Sequence, residues 1–236
     1  MTHLTRCPLN PARARHLTAS PQRLHAAVAS AFPPPPSGTA PGHRVLWRLD
    51  ETRHPHRQST LLMVSSTPPD LTHVIEQAGW PHHTNPDNPG WDTRPYTPLL
   101  EALRPGTRLY FRLTANPTRD VVHPSRRRSV RTALTTPTEQ VQWLLDRAPK
   151  AGFTIPQRIE QPDQPQLTLT ANQMLDFTRT PAEHRSRNVR IRTVTYEGHL
   201  HVTDPEALRH ALTHGIGRGK AYGCGLLTLA RTREPD

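Results

Sequence analysis

The chain has 236 residues and carries 30 Lys and Arg against 19 Asp and Glu, which gives a formal net charge of +11 at pH 7. This length excludes a peptide and leaves room for one large domain or two small ones, and the charge favours a polyanionic partner. Hydrophobic residues make up 33%, enough for a folded chain, and there is neither a signal-peptide pattern nor a run of about 20 apolar residues, so we expect a cytoplasmic protein with no membrane partner.

The first half of the chain predicts an alternation of strands and helices. The elements are a candidate first strand at 2–9, a helix opened by Ser20 and Pro21, strands at 43–50 and 59–66, a helix from Asp70 to Gly79, and a strand at 107–115. Residues 80–95, rich in Pro, Asn, His and Gly, are predicted to be a loop. The order strand, helix, strand, strand, helix, strand is the plan of a ferredoxin-like domain.

A second cycle of elements follows an arginine-rich segment. It comprises a helix after Thr138, strands at 166–178 and 188–203, a helix opened by Asp204 and Pro205, and a strand at 225–230. We therefore predict an α+β protein of tandem ferredoxin-like (RRM-like) domains, whose antiparallel sheets carry helices on one face. The predicted domains are 1–120 and 137–236, with an arginine-rich linker at 121–136.

The most distinctive segment is glycine-rich and runs from 215 to 227, GIGRGKAYGCGLL. Bare backbone N–H groups beside Lys220 suit phosphate binding, although the segment is neither a Walker A loop nor a Rossmann turn. A helix C-cap and a tight turn would explain Gly215 but would not explain why eleven residues contain five glycines. We therefore favour a phosphate-binding loop. Its candidate contact residues are Gly215, Gly217, Arg218, Gly219 and Tyr222.

Fifteen histidines raise the question of a metal site. No HExxH or Cys/His grouping supports one, and Cys7 and Cys224 form no CxxC pair, so we expect neither a metal nor another cofactor. His25 is distinguished by its position in the second turn of the first helix, beside the apolar stripe of Leu24 and Val28. It is either a solvated surface histidine, which spacing alone favours, or a group that moves a proton near neutral pH.

Arginine placement points to nucleic acid. Arg190 and Arg192 alternate with apolar residues, which puts both guanidinium groups on one face of a strand. A second cluster, in the predicted linker, consists of Arg126, Arg127, Arg128 and Arg131. A solvated charge run explains any one of these, but the net charge favours a phosphate-binding surface. Aromatic residues are only 5%, so we expect recognition of RNA backbone and A-form shape rather than base stacking, although Tyr110 and Phe111 lie on a suitable strand.

Four segments stand in this order along the chain: SPQRLHAAVASAFP, RVLWRLD, LYFRLTANPTR and GIGRGKAYGCGLL. As a set they resemble the CasE family, the type I-E CRISPR-associated endoribonucleases that process repeat RNA, over about residues 4–229. The resemblance implies two ferredoxin-like domains, binding of the CRISPR repeat hairpin, and metal-independent cleavage at the base of that hairpin. It also implies that the guide RNA stays bound and that the protein joins the Cascade subunits, meeting target DNA only through that complex.

The resemblance places the family's catalytic histidine at His25 and its glycine-rich loop at 215–225. In this chemistry a ribose 2′-OH attacks the adjacent phosphate and leaves a 2′,3′-cyclic phosphate, so His25 would act as general base or acid and Lys220 would bind phosphate. The linker arginines would hold the RNA duplex.

One position departs from the family pattern. Many members carry a tyrosine three residues before the histidine, whereas this chain has Gln22, which can form hydrogen bonds but cannot titrate. Tyr222 or Lys220 would then have to substitute. Two further hypotheses therefore remain open, a non-cleaving hairpin-binding subunit of the same complex and a general basic RNA-binding protein.

Overall fold

A computed structural model describes residues 1–33, 45–52, 58–80, 88–122, 129–179 and 187–232. The helices are α1 (Arg15–Thr18), α2 (Pro21–Ser30), α3 (Thr72–Ala78), α4 (Thr97–Ala102), α5 (Pro137–Leu145) and α6 (Pro205–His214). The strands are β1 (His3–Leu9), β2 (Leu46–Thr52), β3 (Gln58–Ser65), β4 (Asp92–Pro95), β5 (Arg108–Ala115), β6 (Thr118–Val121), β7 (Val130–Ala133), β8 (Phe153–Thr154), β9 (Leu167–Arg179), β10 (Arg187–Val202) and β11 (Leu227–Arg231). Within these residues there is no helix with the length and apolarity that crossing a membrane requires.

Three helices begin where the sequence carries a start signal. α2 starts at Pro21 directly after the extended residue Ser20. The Asp204 side chain accepts hydrogen bonds from two backbone N–H groups in the first turn of α6. α5 begins with a capping box between Thr136 and Glu139, so that each side chain satisfies the other residue's backbone N–H.

The first sheet has the strand order β2-β3-β1-β4, and all of its pairs are antiparallel. Together with α2 and α3 it completes one ferredoxin-like unit. Its fourth strand is β4, which lies in the segment predicted to be a loop, so that part of the prediction is wrong. β4 is a short polar stretch held by pairing with β1, and its own sequence carries no apolar alternation.

The second sheet has the strand order β11-β5-β10-β8, with β9 also paired to β10. Its first strand is β5, which lies between β10 and β11. The predicted strand at 107–115 therefore exists, but its assignment to the first half is wrong. With α5 and α6 this sheet forms a second ferredoxin-like unit, which confirms the predicted α+β class and the tandem arrangement.

The predicted domain boundary does not coincide with the division between the sheets. The sheets divide between β4 and β5, and the predicted linker at 121–136 holds part of the β6–β7 hairpin, in which Val121 pairs with Val130. Separately folding domains at 1–120 and 137–236 stay a prediction, but the strand that would close the first of them belongs to the second sheet.

Two buried clusters of side chains hold the fold together. The smaller one lies between the first sheet and its helices, and it includes Trp47 of β2 and Val28 of α2. The larger one contains Phe111 of β5 and Leu208 of α6, and it extends to Leu46 of β2. Leu46 and Trp47 are successive residues and lie on opposite faces of β2, so the first sheet is packed on both faces, and the larger cluster contains residues of both units.

Candidate functional site

His25 of α2 contacts the ring of Tyr222, a residue nearly two hundred positions later in the chain. The two ring centroids are 6.1 Å apart with an angle of 62° between the ring planes, an edge-to-face contact. The Tyr222 ring is also held by Phe177 of β9, at a centroid distance of 4.8 Å. α2, β9 and the turn that follows α6 therefore converge on one half-buried aromatic cluster.

A single turn of 3₁₀ helix, Lys220–Tyr222, presents the tyrosine. It is bounded by Gly219 and Gly223, both in the left-handed conformation with φ of 75° and 79°. At Gly223 an added Cβ would lie 2.9 Å from Cζ3 of Trp47. Glycine is therefore required at this position both by the backbone and by the tryptophan ring against which the turn rests.

Gln22 and Lys220 lie beside this cluster along the chain. Gln22 is one helical turn before His25, and its Oε1 is buried with no hydrogen-bond partner. Lys220 is in the same turn as Tyr222, and its Cγ is 3.2 Å from where a Cβ on Gly225 would stand. The stem of Lys220 therefore packs on the backbone of Gly225, in the same segment of chain that carries the tyrosine.

The glycine-rich segment has structural reasons for its glycines. All five, from Gly215 to Gly225, have positive φ, and a Cβ on Gly217 would lie 2.9 Å from the Trp143 ring. Several of the segment's backbone N–H groups already donate to carbonyl groups of the fold, namely those of Gly215, Ile216, Tyr222, Cys224 and Gly225. Turn geometry and close packing thus account for the glycines, and phosphate binding by this segment stays a prediction.

The cysteine in the same segment, Cys224, is a buried free thiol. Burial raises the pKa of the Cys224 thiol to about 12, and the same cause raises that of Cys7 to about 12. Across the described ranges, no group of three or more His, Cys, Asp or Glu side chains is placed to hold a metal ion.

The predicted RNA-contacting arginines that the structure describes lie on three parts of the fold, namely β7, β10 and the glycine-rich segment. Arg131 of β7 pairs with Asp120 of β6 at 2.6 Å, and Arg218, on the glycine-rich segment, is exposed. Arg190 pairs with Asp176 at 3.3 Å, while Arg192 donates to Asn172 at 2.9 Å. Arg126, Arg127 and Arg128 lie outside the described residues.

The two strand arginines face away from the aromatic cluster. Phe177 is the cross-strand partner of Val189, whereas Asp176 is the partner of Arg190. Opposite residues in an antiparallel pair lie on the same face, and successive residues lie on opposite faces. Arg190 and Arg192 therefore share one face of the sheet, as predicted. The ring of Phe177, which contacts Tyr222, lies on the opposite face.

Sequence reasoning named His25 and Tyr222 but missed Phe177. The alternation in β9 identifies the face on which Phe177 lies, and Phe177 is 8% exposed among otherwise polar neighbours. That pattern marks it as a residue covered by another element, although nothing local shows that the covering group is Tyr222.

Two ferredoxin-like units in one chain, joined through a shared interior, place this protein in the class of tandem ferredoxin-like α+β proteins. A model of the family described as CRISPR associated protein matches residues 2–231. The chain therefore belongs to this family of CRISPR-associated proteins, and its 33% identity to an endoribonuclease named Cse3 over 96% of its length identifies it as a CasE (Cse3) member.

Individual relatives agree over nearly the whole length. The CRISPR-associated endoribonuclease Cse3 of Thermus thermophilus is 33% identical over 231 residues, covering 96% of this chain and 99% of that protein. The Cascade subunit CasE of Escherichia coli is 28% identical over 201 residues, covering 80% and 89%. The solved structure of Thermus thermophilus Cse3 bound to an RNA representing a pre-cleavage complex has a TM-score of 0.72 at 32% identity, covering 97% of this chain and 98% of that one.

Proposed function

We propose that this chain is an endoribonuclease that binds the hairpin of the CRISPR repeat and cleaves precursor CRISPR RNA at the hairpin base. The observation that carries the proposal is the contact between His25 and Tyr222, which places the centroids of an imidazole ring and a phenol ring 6.1 Å apart. It occurs in a chain that matches the endoribonuclease Cse3 over 96% of its length.

The reaction is a transesterification at one phosphate. The ribose 2′-oxygen forms a bond to the adjacent phosphorus and loses its proton, while the bond from phosphorus to the 5′-oxygen breaks and that oxygen gains a proton. The products are a 2′,3′-cyclic phosphate and a 5′-hydroxyl, and no water is consumed. The step needs one group that takes a proton, one group that supplies a proton, and a positively charged group that stabilises the negatively charged phosphorane.

The chain offers a group for each role. His25 takes or gives the proton, because imidazole does both near neutral pH. The Tyr222 hydroxyl is the second proton-bearing group, in place of the tyrosine that Gln22 replaces. Lys220 supplies the cation, and the Gln22 amide hydrogen-bonds a phosphate or hydroxyl oxygen. No metal ion and no other cofactor has a role in this proposal.

A set of arginines and glycines outside this cluster binds the RNA. The proposed contacts are Arg126, Arg127, Arg128, Arg131, Arg190, Arg192, Gly215, Gly217, Arg218 and Gly219. The net charge of +11 supports such a surface through release of counterions from the phosphates. The cleaved guide RNA stays bound, the protein becomes a Cascade subunit in the cytoplasm, and target DNA is met only through that complex.

The test is single-turnover cleavage of the repeat transcript in EDTA. We expect His25→Ala to slow cleavage by about 100-fold or more, since general acid–base groups contribute about 10²–10⁴. Its affinity for the uncleaved hairpin should equal that of wild type. His16→Ala is the matched control, because His16 is an exposed histidine on the neighbouring helix α1. Equal rates for the two variants would contradict the assignment of His25.

A second variant examines the tyrosine. Tyr222→Phe keeps the ring that contacts Phe177 and His25 but removes the hydroxyl, so we expect slower cleavage with unchanged hairpin affinity.

The observation that favours a non-cleaving hairpin-binding subunit is Gln22, which cannot titrate. That alternative predicts intact RNA even at saturating wild-type protein, and this result would remove the catalytic roles of both His25 and Tyr222.

A further inference from the structure

A second pair of rings lies on the second sheet, away from His25. Tyr110 of β5 and His199 of β10 are direct cross-strand partners, with ring centroids 5.6 Å apart and ring planes at 77°. Tyr110 alternates with Phe111, which is fully buried, so the ring pair lies on the face opposite the core. Both rings are half-buried, and their outer surfaces reach solvent.

The Tyr110 ring is held in place by a polar network. Its hydroxyl donates to Oε2 of Glu197 at 2.6 Å. The other carboxylate oxygen of Glu197 accepts from the Thr170 hydroxyl at 3.2 Å and lies 3.2 Å from Nε of Arg112. Burial, followed by the hydrogen bond to Glu197, raises the pKa of Tyr110 to about 12, so the phenol stays neutral. A ring fixed in this way loses little entropy when a ligand stacks on it.

The surroundings of His199 suit a neutral ring beside a cation. Partial burial and then the charges of Arg108 and His201 lower the pKa of His199. Arg108 is the cross-strand partner of His201, the next pair along the same face. Its guanidinium is exposed and donates to Oε1 of Gln166 at 2.9 Å, which holds it at the edge of the ring pair.

We propose that Tyr110 and His199 form a stacking platform for an unpaired nucleotide of RNA, with Arg108 contacting the adjacent phosphate. β5 lies between β10 and β11, so the two rings occupy neighbouring inner strands of a ferredoxin-like sheet. Aromatic residues on such a sheet are the means by which RRM domains stack single-stranded bases, and base stacking tolerates any sequence because every base has a π face.

The platform is separate from the cleavage site. Val189, the partner of Phe177, is ten residues before His199 on β10. At about 3.3 Å per residue, the two places are on the order of 30 Å apart along the strand. The platform therefore binds RNA outside the scissile nucleotide. This inference goes beyond the proposed function, and it adds one stacked base to the recognition of RNA backbone and A-form shape that the sequence predicts.

The experiment measures binding of a labelled, unstructured RNA, an oligouridylate octamer that contains no hairpin, by fluorescence anisotropy. Tyr110→Leu removes the ring and should weaken binding by about fivefold or more, the loss of one stacked base. Tyr110→Phe keeps the ring and should bind as wild type does. Trp80→Leu is the matched control, since Trp80 is an exposed aromatic residue 37% accessible and outside the second sheet.

His199→Ala removes the other ring of the platform, which lies on the neighbouring strand β10. This variant replaces Tyr110→Leu if Tyr110→Leu does not fold. It too should weaken octamer binding about fivefold or more. Hairpin cleavage by each variant should match wild type, so failure of the platform is distinguished from failure of the endoribonuclease. The platform is refuted if wild type does not bind the octamer, if Tyr110→Phe loses as much affinity as Tyr110→Leu, or if Trp80→Leu does so.

Discussion

The two sheets have the same strand order but differ in the face that their helices leave uncovered. In the first sheet that face is largely apolar and joins the larger core through Leu4, Leu46, Leu62 and Val64. In the second sheet it is polar and carries Arg108, Tyr110, Arg112, Glu197 and His199. One topology is thus packed in two ways, because the first sheet is covered on both sides whereas the second has one polar, partly exposed side.

Arg48 of the first sheet contacts the backbone of the second sheet. Its side chain is 2% exposed, and all of its donor groups are used. It pairs with Asp50 at 2.7 Å through Nε, and it donates to backbone carbonyl oxygens of Arg112 and Leu226 at 2.9 and 2.8 Å. The packed sheet is therefore attached to the polar face by one fully satisfied cation.

The largest effect is expected from breaking that attachment. Arg48→Met should lower the free energy of unfolding by about 3–5 kcal/mol, because Asp50 and two carbonyl groups lose the Arg48 guanidinium in a buried setting and Asp50 keeps only the more distant Arg112, at 3.6 Å. Arg94→Met is the matched control, since Arg94 pairs with Asp92 at the same 2.7 Å but with side chains 78% and 54% exposed. That variant should lose about 0–1 kcal/mol. Chemical denaturation measures both, and equal losses would mean that burial of Arg48 is unimportant.

A smaller effect is expected where the turn of Tyr222 rests on the first sheet. Gly223→Ala adds a methyl group 2.9 Å from the Trp47 ring, which should cost about 1–3 kcal/mol beyond the strain of a positive φ. Gly106→Ala supplies that strain alone, because Gly106 has a φ of 80° with no atom within 4 Å of an added Cβ. The difference between the two midpoints of urea unfolding isolates the contact. No difference would show that the turn gives way freely.

The smallest effect concerns the polar face at high pH. The pKa of Tyr110 is about 12 in the folded chain and about 10 in the unfolded chain. Between these values the unfolded chain releases its phenolic proton while the folded chain retains it, so the free energy of unfolding falls as pH rises. Tyr110→Phe should lose less stability than wild type between pH 10 and pH 12, since its ring cannot ionise. Parallel curves for the two proteins would contradict the raised pKa.

The sequence predicted elements well where apolar spacing coincided with a start signal. Ser20 and Pro21 located α2, and Asp204 located α6. β4 was missed because its strand character comes from pairing with β1, a contact between distant segments. For the same reason alternation identified β5 as a strand but did not identify its sheet.

The site shows the same limit. Family resemblance gave His25, and glycine composition drew attention to the segment containing Tyr222, but their contact depends on how that turn packs against α2. The glycines themselves suggested phosphate binding, whereas positive φ and contacts with Trp47 and Trp143 account for them. Composition reports which residues are present, and only packing reports what each one meets.

The contact between residues 25 and 222 also sets an order of events during synthesis. Domains emerging from the ribosome fold from the N-terminus onwards, so the first sheet and α2 can form early. His25 then lacks its tyrosine partner until translation has passed residue 222 and the last strand has paired with β5. A nascent or truncated chain can therefore display the first unit without the aromatic pair.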